Sequence, residues 1–148
     1  MSDLSIELLT QKRAIELWPK IAPLAEKSAL GNVMTASDMD SQYIFNAVCA
    51  DEAVIFAGFE NGELATILGI QFSDANGHKC ADIIAMAGRR LTKFKQQYWG
   101  PILDWLKANE VEFLDSYVPT ERAMIYMNKF GFDKSCAHIR MSLGNQNG

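Results

Sequence analysis

The chain has 148 residues, of which 49% are hydrophobic and 22% charged, and its formal net charge is −4. This composition is typical of one globular domain, which we expect to span residues 1–148, and it excludes a disordered or fibrous chain. The negative net charge argues against a nucleic-acid partner. The apolar runs are far shorter than the ~20 residues that cross a bilayer, and residues 1–5 show no secretory signal.

Cysteine usage bears on the compartment. Cys49, Cys80 and Cys136 are widely spaced and form no C-x-x-C pair. Such a set is typical of reduced thiols rather than of a disulfide framework. We therefore expect a soluble, cytoplasmic protein with no membrane partner.

The first part of the chain predicts a short strand followed by helices. Residues 4–9 are apolar enough for a strand, and residues 11–30 carry apolar side chains at helical spacing. Two prolines in the second segment lack an amide hydrogen, so we expect a bent helix or two short helices. A further helix is predicted from Thr35 or Ser37, whose hydroxyls can cap it, to about Ala50. Its predicted core face consists of Tyr43, Ile44, Ala47 and Val48.

The middle of the chain predicts three consecutive antiparallel strands. Asn61-Gly62 tolerates positive φ at both positions of a two-residue turn and is the strongest hairpin signal in the sequence. A looser turn is expected at residues 74–77. The predicted strands are residues 53–60, 63–73 and 78–88.

The last part predicts alternating helices and strands. A helix is expected between Gly88 and about Asn109, with a core stripe of Phe94, Tyr98, Ile102, Trp105 and Leu106. Trp99 lies off that stripe, so we expect it to be exposed and to mark a protein contact. Together with the final strand it would form the symmetric patch of a homodimer. The remaining predicted elements are a strand at 111–118, a helix at 119–130 and a strand at 136–143.

The order of these elements predicts an α/β (α+β) fold built on one sheet. The strands of the meander are antiparallel, and the helices that follow connect neighbouring strands as crossovers. We therefore expect a mixed, mostly antiparallel central sheet that is flanked by helices on both faces.

A local motif near the C-terminus adds a family resemblance. In residues 123–132, AMIYMNKFGF, an alanine begins a helix and a Gly-Phe pair leads into the last strand. This motif, with the element order, resembles the GNAT superfamily of acyl-CoA N-acyltransferases. More particularly, the chain resembles the short, divergent GNAT-like proteins encoded among bacteriophage virion genes. The residues that carry this resemblance are Trp18, Gly88-Arg89, Trp99 with Trp105, and Phe130-Gly131-Phe132.

The resemblance implies acetyl-CoA as cofactor, with its pyrophosphate on backbone amides in a glycine-rich loop at the start of the central helix. The matching residues include one glycine, and Leu91 puts a side chain where the family has bare backbone. Basic side chains could hold phosphate there instead, and the alternative is a solvated basic helix start. The candidate cofactor-binding residues are Gly88, Arg89, Arg90, Thr92 and Lys93.

The catalytic residues that the resemblance implies are incompletely matched. The family often has a tyrosine as general acid four residues before the closing glycine, and Met127, which cannot donate a proton, occupies that position. The neighbouring Tyr126 is rotated by about 100° around the helix, and its alternative role is packing in or beside the core. Asp82 and Asp115 are carboxylates on predicted strands and are therefore candidates for a general base, unless they are surface charges. The candidate catalytic residues are Tyr126 and Asp82.

Two histidine–cysteine pairs are candidate metal ligands. His78 with Cys80, and Cys136 with His138, each share one face of a strand, and two such pairs could bind zinc. The predicted topology separates the two strands, so we predict no metal site.

Two functions follow from the resemblance. The first is transfer of acetyl from acetyl-CoA to an amine acceptor through a degenerate cofactor loop. The second is a non-catalytic virion structural or assembly protein that keeps the fold. The second function implies partners in a phage particle and a location in the host cytoplasm or the virion.

Overall fold

A computed structural model of the protein describes residues 3–30, 40–116, 121–134, 141 and 143. In this part of the chain, five helices pack around one five-stranded sheet. The elements are β1 (Leu4–Leu8), α1 (Gln11–Glu16), α2 (Trp18–Leu30), α3 (Ser41–Cys49), β2 (Ala53–Glu60), β3 (Glu63–Ala75), β4 (His78–Gly88), α4 (Leu91–Ala108), β5 (Phe113–Asp115) and α5 (Glu121–Asn128).

The sheet confirms the predicted fold class. Its strands lie side by side in chain order, from β1 to β5. The pairs from β1 to β4 are antiparallel, whereas β5 pairs with β4 in parallel. A parallel neighbour needs a crossover connection, and α4 supplies it.

Both hairpins of the meander turn on an Asn-Gly pair. At the predicted turn, Asn61 has a φ of 53° and Gly62 a φ of 80°. The second turn is equally tight, with Asn76 at 52° and Gly77 at 85°. The expected looser turn at residues 74–77 is therefore wrong, because Asn-Gly supplies positive φ at both positions there too.

Each face of the sheet carries its own hydrophobic core. The core on one face packs α1, α2 and α3 against the sheet, and the other packs α4 and α5. The helical residues of the first core are Ala14, Ile21, Ala25, Ile44, Ala47 and Val48. Those of the second core are Phe94, Trp99, Ile102, Leu106 and Met127, with Phe130 just after α5. The prediction of helices on both faces is confirmed.

The helices that precede the meander agree with the prediction over residues 11–30, whereas the next helix begins later than predicted. Leu17 separates α1 from α2, which agrees with the expectation of two short helices. Thr35 and Ser37, the predicted caps of the next helix, lie outside the described residues. Asp40 has extended backbone and its carboxylate accepts a hydrogen bond from the Tyr43 amide at 2.9 Å, so the helix begins at Ser41. A carboxylate is among the strongest N-caps.

Trp99 is not exposed, which overturns the expectation of a tryptophan protein contact. Only 8% of this residue is accessible, and its indole Nε1 donates a hydrogen bond of 2.8 Å to the Phe130 carbonyl. The reason is geometric: Trp99, Ile102 and Leu106 are themselves spaced at three and four residues, so they lie on one face of α4. The apolar face of α4 is wider than the predicted stripe, and Trp99 offers no surface to a homodimer.

The described C-terminal elements are short. β5 covers only part of the predicted strand at 111–118, and α5 ends before Gly131, which has a φ of 102°. The predicted last strand at 136–143 lies almost wholly outside the described residues. In the described part of the chain, no helix combines the length and hydropathy that a membrane span requires.

A close backbone contact sets the connection between β4 and α4. Gly88 has a φ of 118°, and a Cβ at this position would stand 2.1 Å from the carbonyl oxygen of Ala65. Arg90, which precedes α4, has a left-handed backbone with a φ of 71°. The strand therefore ends against β3, and the chain reverses into α4 within two residues.

Replacement of Trp99 by Phe tests the bond between α4 and the end of α5. We expect W99F to lower the free energy of unfolding by about 2 kcal/mol, because the Phe130 carbonyl would lose its donor in a buried environment. Urea denaturation measures this loss. The matched control is W105F, since the recorded ring contacts of Trp105 are to Phe56 and Phe72. Equal losses in the two variants would contradict the assignment.

Replacement of Gly88 by Ala tests the close contact with β3. We expect G88A to lower the free energy of unfolding by about 3 kcal/mol or more, because the added Cβ cannot be accommodated without moving backbone. The control is G62A, which shares the positive φ but has open space around its Cβ position. It should cost only about 1 kcal/mol. Thermal or urea unfolding of both variants would reveal the difference, and similar losses would refute the contact.

Candidate functional site

The turn between β4 and α4 is fixed to β3 by hydrogen bonds on both sides of Arg89. The Arg89 amide donates to the Ala65 carbonyl at 2.9 Å. The hydroxyl of Thr66, which is fully buried, donates to the Arg89 carbonyl. With Gly88 pressed against Ala65, these bonds hold the backbone of the turn in one position.

Glu60, at the end of β2, binds both arginines of this turn. Its Oε1 lies 3.2 Å from Nε of Arg89, and its Oε2 lies 3.0 Å from Nε of Arg90. The Glu60 side chain is only 14% accessible, against 52% for Arg89 and 39% for Arg90. A second carboxylate, of Glu63, lies 4.0 Å from Nη2 of Arg89 and is 80% accessible. The positive charge of the turn is thus ordered and partly balanced.

The first turn of α4 presents backbone amides beside these arginines. Arg90 occupies the N-cap position and makes no side-chain capping bond, and the first intrahelical bond runs from the Phe94 amide to the Arg90 carbonyl at 2.8 Å. The amides of Leu91 and Thr92 therefore have no acceptor within the helix. Leu91 is half-buried and Thr92 is exposed. The N-terminus of a helix favours negative charge, because amide hydrogens and the helix dipole point towards it.

In the described part of the chain, the edge of β4 that faces β5 is paired with it over only part of its length. β3 pairs with β4 as far as Gly88, whereas the pairing of β4 with β5 covers, among the described residues, only Cys80 to Asp82. The β4 edge that follows Asp82 leads directly to the turn at Gly88. This geometry extends the candidate site from the turn back along the strand.

A β-bulge follows immediately after the last β4–β5 pair. Ile70 pairs with Ile83 and Gly69 pairs with Ala85, so Ile84 is the extra residue. The bulge places Ile84 and Ala85 in the same hydrophobic core. Because a bulge bends its strand and increases the local twist, β4 changes direction just beyond the β5 contact.

Asp82 lies at the point where the β4–β5 pairing ends. It is half-buried and stands opposite Asp115 on β5 and Gln71 on β3. Burial raises the pKa of the Asp82 carboxyl, and the charge of Asp115 raises it further. On the neighbouring strand, Gln71 accepts a hydrogen bond of 2.6 Å from the hydroxyl of Tyr43. The prediction that Tyr43 faces the core is wrong, because this residue is 37% exposed and its hydroxyl binds Gln71. Tyr43 and Gln71 extend a polar patch across the sheet from Asp82.

Tyr126 lies on α5, apart from these residues. It is partly exposed, and its ring meets the edge of Phe130 at a centroid distance of 5.3 Å. The Phe130 ring in turn lies 5.3 Å from Nζ of Lys95 in α4. Burial raises the pKa of the Tyr126 phenol, so its hydroxyl keeps its proton over a wide range. Among the described residues, no recorded contact joins Tyr126 to Asp82.

The histidine–cysteine pairs gain no support as a metal site. Nδ1 of His78 lies 2.9 Å from Oε2 of Glu112, in an exposed pair. Cys80 is buried, which raises the pKa of its thiol, and Asp115 adds to that effect. Cys136 and His138 lie outside the described residues, and within those residues no group of His, Cys, Asp and Glu side chains could hold a metal ion.

The structure brings the five predicted cofactor residues together on one turn, and it adds Glu60, which sequence analysis missed. Glu60 is 29 residues from Arg89 in the chain. Its only sequence signal is its position at the end of a predicted strand, next to the Asn61-Gly62 turn. The register of the hairpin, which sets its neighbours, is not visible in a local pattern.

Comparison with known proteins identifies the fold. The sequence matches no protein-family model, and no curated protein matches it. Among solved structures, a predicted acetyltransferase from Clostridium acetobutylicum, crystallised with acetyl-CoA, is 14% identical, with a TM-score of 0.69 over 95% of this chain and 97% of that one. A GCN5-related N-acetyltransferase from Ralstonia eutropha is 12% identical, with a TM-score of 0.70 over 96% and 100%. An aminoglycoside acetyltransferase from an uncultured soil sample, in complex with sisomicin, is 14% identical, with a TM-score of 0.67 over 95% and 97%. The protein therefore has the fold of the GCN5-related N-acetyltransferases, the GNAT fold.

Proposed function

We propose that the protein is an acyl-CoA-dependent N-acyltransferase that transfers an acetyl group from acetyl-CoA to an amine. The observation that carries this proposal is the turn between β4 and α4, where two ordered arginines flank the N-terminus of a helix. The turn adjoins a strand edge that extends beyond its pairing with β5. A solved neighbour with this fold was crystallised with acetyl-CoA.

The residues of the turn fit the phosphates of a coenzyme A thioester. Arg89 and Arg90 supply charge-assisted donors, and the amides of Leu91 and Thr92 supply backbone donors at the positive end of α4. Thr92 is exposed, and it carries a hydroxyl beside its backbone amide. Lys93 adds a further cation to the same turn. Gly88 allows the close approach to β3 on which this arrangement rests.

The distance along β4 fits the length of the bound molecule. Asp82 lies six residues before Gly88, which in an extended strand is roughly 20 Å. This is the scale of an extended pantetheine arm, and the backbone N–H and C=O groups of the β4 edge can bind the amide groups of such an arm. Acetyl-CoA supplies the activated acetyl group as a thioester.

Asp82 is the proposed general base, and Tyr126 the proposed proton donor. A carboxyl with a raised pKa is a better match to the removal of a proton from an ammonium near neutral pH than an ordinary carboxyl. Asp82 also lies on the strand that carries the proposed arm site, two residues before the bulge. Tyr126 remains protonated, and its phenol is therefore able to give a proton to a departing thiolate.

A second candidate function is a non-catalytic protein that keeps the GNAT fold. The observation that favours it is Glu60, whose carboxylate balances part of the charge that phosphates would need. The loop also carries a single glycine, so side chains occupy positions where a bare backbone would allow closer approach. Binding of acetyl-CoA separates the two functions.

The first test of the proposal is calorimetric titration with acetyl-CoA. We expect the wild-type protein to bind, and R89A and R90A each to weaken binding about tenfold or more, because each removes charge-assisted bonds to phosphate. The control is R13A, since Arg13 belongs to another arginine–glutamate pair, with Glu7. The absence of binding by the wild-type protein at millimolar ligand would refute the enzymatic function and leave the non-catalytic one.

The second test uses the raised pKa of Asp82. The folded protein binds this proton more tightly than the unfolded chain, so ionisation of Asp82 costs stability at neutral pH, and the cost disappears as pH falls through the raised pKa. We expect D82N to increase the free energy of unfolding at neutral pH by at most about 1 kcal/mol, because a partly exposed carboxylate keeps some hydration. Urea denaturation across the acid range measures the change.

The gain in D82N should vanish below the ordinary carboxyl pKa of about 3.9, where both proteins carry an uncharged side chain. D104N, which replaces an exposed carboxylate on α4, serves as the control and should show no comparable gain. Destabilisation by D82N at neutral pH would mean that the carboxylate makes a favourable contact. The raised pKa on which the assignment of Asp82 as general base rests would then be wrong.

A further inference from the structure

The ion pairs of Glu60 use one particular edge of each guanidinium. Both recorded contacts within hydrogen-bonding distance are made by Nε, one to each carboxylate oxygen of Glu60. An arginine carries five N–H donors, and four of them are on the two Nη atoms. The contact of Arg89 Nη2 with Glu63 is long, at 4.0 Å, and involves a glutamate that is 80% accessible. With respect to the residues that the structure describes, the Nη edges of Arg89 and Arg90 therefore retain donors for a second anion.

The rest of the cluster is fixed before any ligand arrives. Glu60 is mostly shielded from solvent at the end of a paired strand, and the backbone of Arg89 is tied to β3 at its amide and its carbonyl. Long arginine side chains lose much rotamer freedom when they bind an anion. Side chains that are already ordered lose less, and preorganisation of this kind strengthens binding.

We propose that Glu60 is a positioning residue for the anion site at the start of α4. By accepting one hydrogen bond from Nε of each arginine, it aligns Arg89 and Arg90 so that their Nη groups present a common donor array to a diphosphate group. This inference rests on the proposed function and identifies the residue that organises its phosphate-binding turn. The cluster of Glu60 and the two arginines keeps one net positive charge.

The contacts of Glu60 indicate whether it orients the two arginines or competes with an anion for them. A carboxylate that competed with the ligand would also occupy the Nη donors, for example in a bidentate contact. Glu60 pairs with Nε from the side of β2. Its removal would therefore release two guanidiniums rather than vacate the site.

The experiment compares E60Q with wild type for three probes: acetyl-CoA, inorganic pyrophosphate and acetylpantetheine, a thioester without the nucleotide phosphates. We expect E60Q to weaken the binding of acetyl-CoA and of pyrophosphate about tenfold, because one carboxylate oxygen becomes an NH2 group that cannot accept from its Nε, and the negative charge is lost. Binding of acetylpantetheine should be unchanged. The matched control is E7Q, which breaks the Nε contact of Arg13 at 3.1 Å away from the turn. It should leave all three affinities unchanged.

Several outcomes would overturn the inference. Unchanged or tighter binding of pyrophosphate by E60Q would make Glu60 a bystander or a competitor. An equal loss for acetylpantetheine would reveal general damage rather than positioning. If E60Q does not fold, E60D provides the readout, since it keeps the charge on a shorter side chain and should weaken only the phosphate-bearing probes. Wild-type binding of pyrophosphate without acetyl-CoA would refute the proposed function alone, and binding of neither probe would refute both.

Discussion

The backbone of Gly88 lies so close to β3 that the carbonyl oxygen of Ala65 would stand 2.1 Å from an added Cβ. This contact decides where β4 ends and where α4 can begin. The Arg89 amide then bonds to the same Ala65 carbonyl, and the buried Thr66 hydroxyl bonds to the Arg89 carbonyl. The charged side chains of the turn are thus carried by a backbone with little freedom, which is the condition for a precise anion site.

Two regions of β4 differ in their electrostatics. At its end, Glu60 compensates the two arginines and lowers the cost of holding like charges together. Near its middle, Asp82 is half-buried and faces a second carboxylate, that of Asp115, and its pKa is raised first by burial and then by that charge. Perturbed titratable groups of this kind concentrate at functional sites because catalysis needs them. The bulge at Ile84 separates the two regions and redirects the strand between them.

Local sequence signals predicted the fold well, because strand alternation, Asn-Gly turns and the order of elements are properties of neighbouring residues. The wrong predictions arose where the local pattern is compatible with more than one arrangement of side chains. The helical spacing of Trp99 and Ile102 is as regular as that of the predicted stripe, so spacing alone does not say which residues are buried. Trp99 is buried because it packs against the end of α5, where it bonds to the Phe130 carbonyl. The candidate cofactor turn was proposed from a family resemblance, whereas the position of Glu60 depends on hairpin register and on a contact across 29 residues. Long-range charge pairing leaves no periodic trace in a sequence.

The strands of the described sheet follow one another in space as they do in the chain. Each strand from β2 onward can therefore add to an edge that its predecessor has already formed, and contacts that are local in sequence favour rapid folding. The turn after β4 has its anchors on β3, so it acquires its shape only when the meander is in place. During synthesis from the N-terminus, the candidate binding turn would thus take its final shape after the strands that support it.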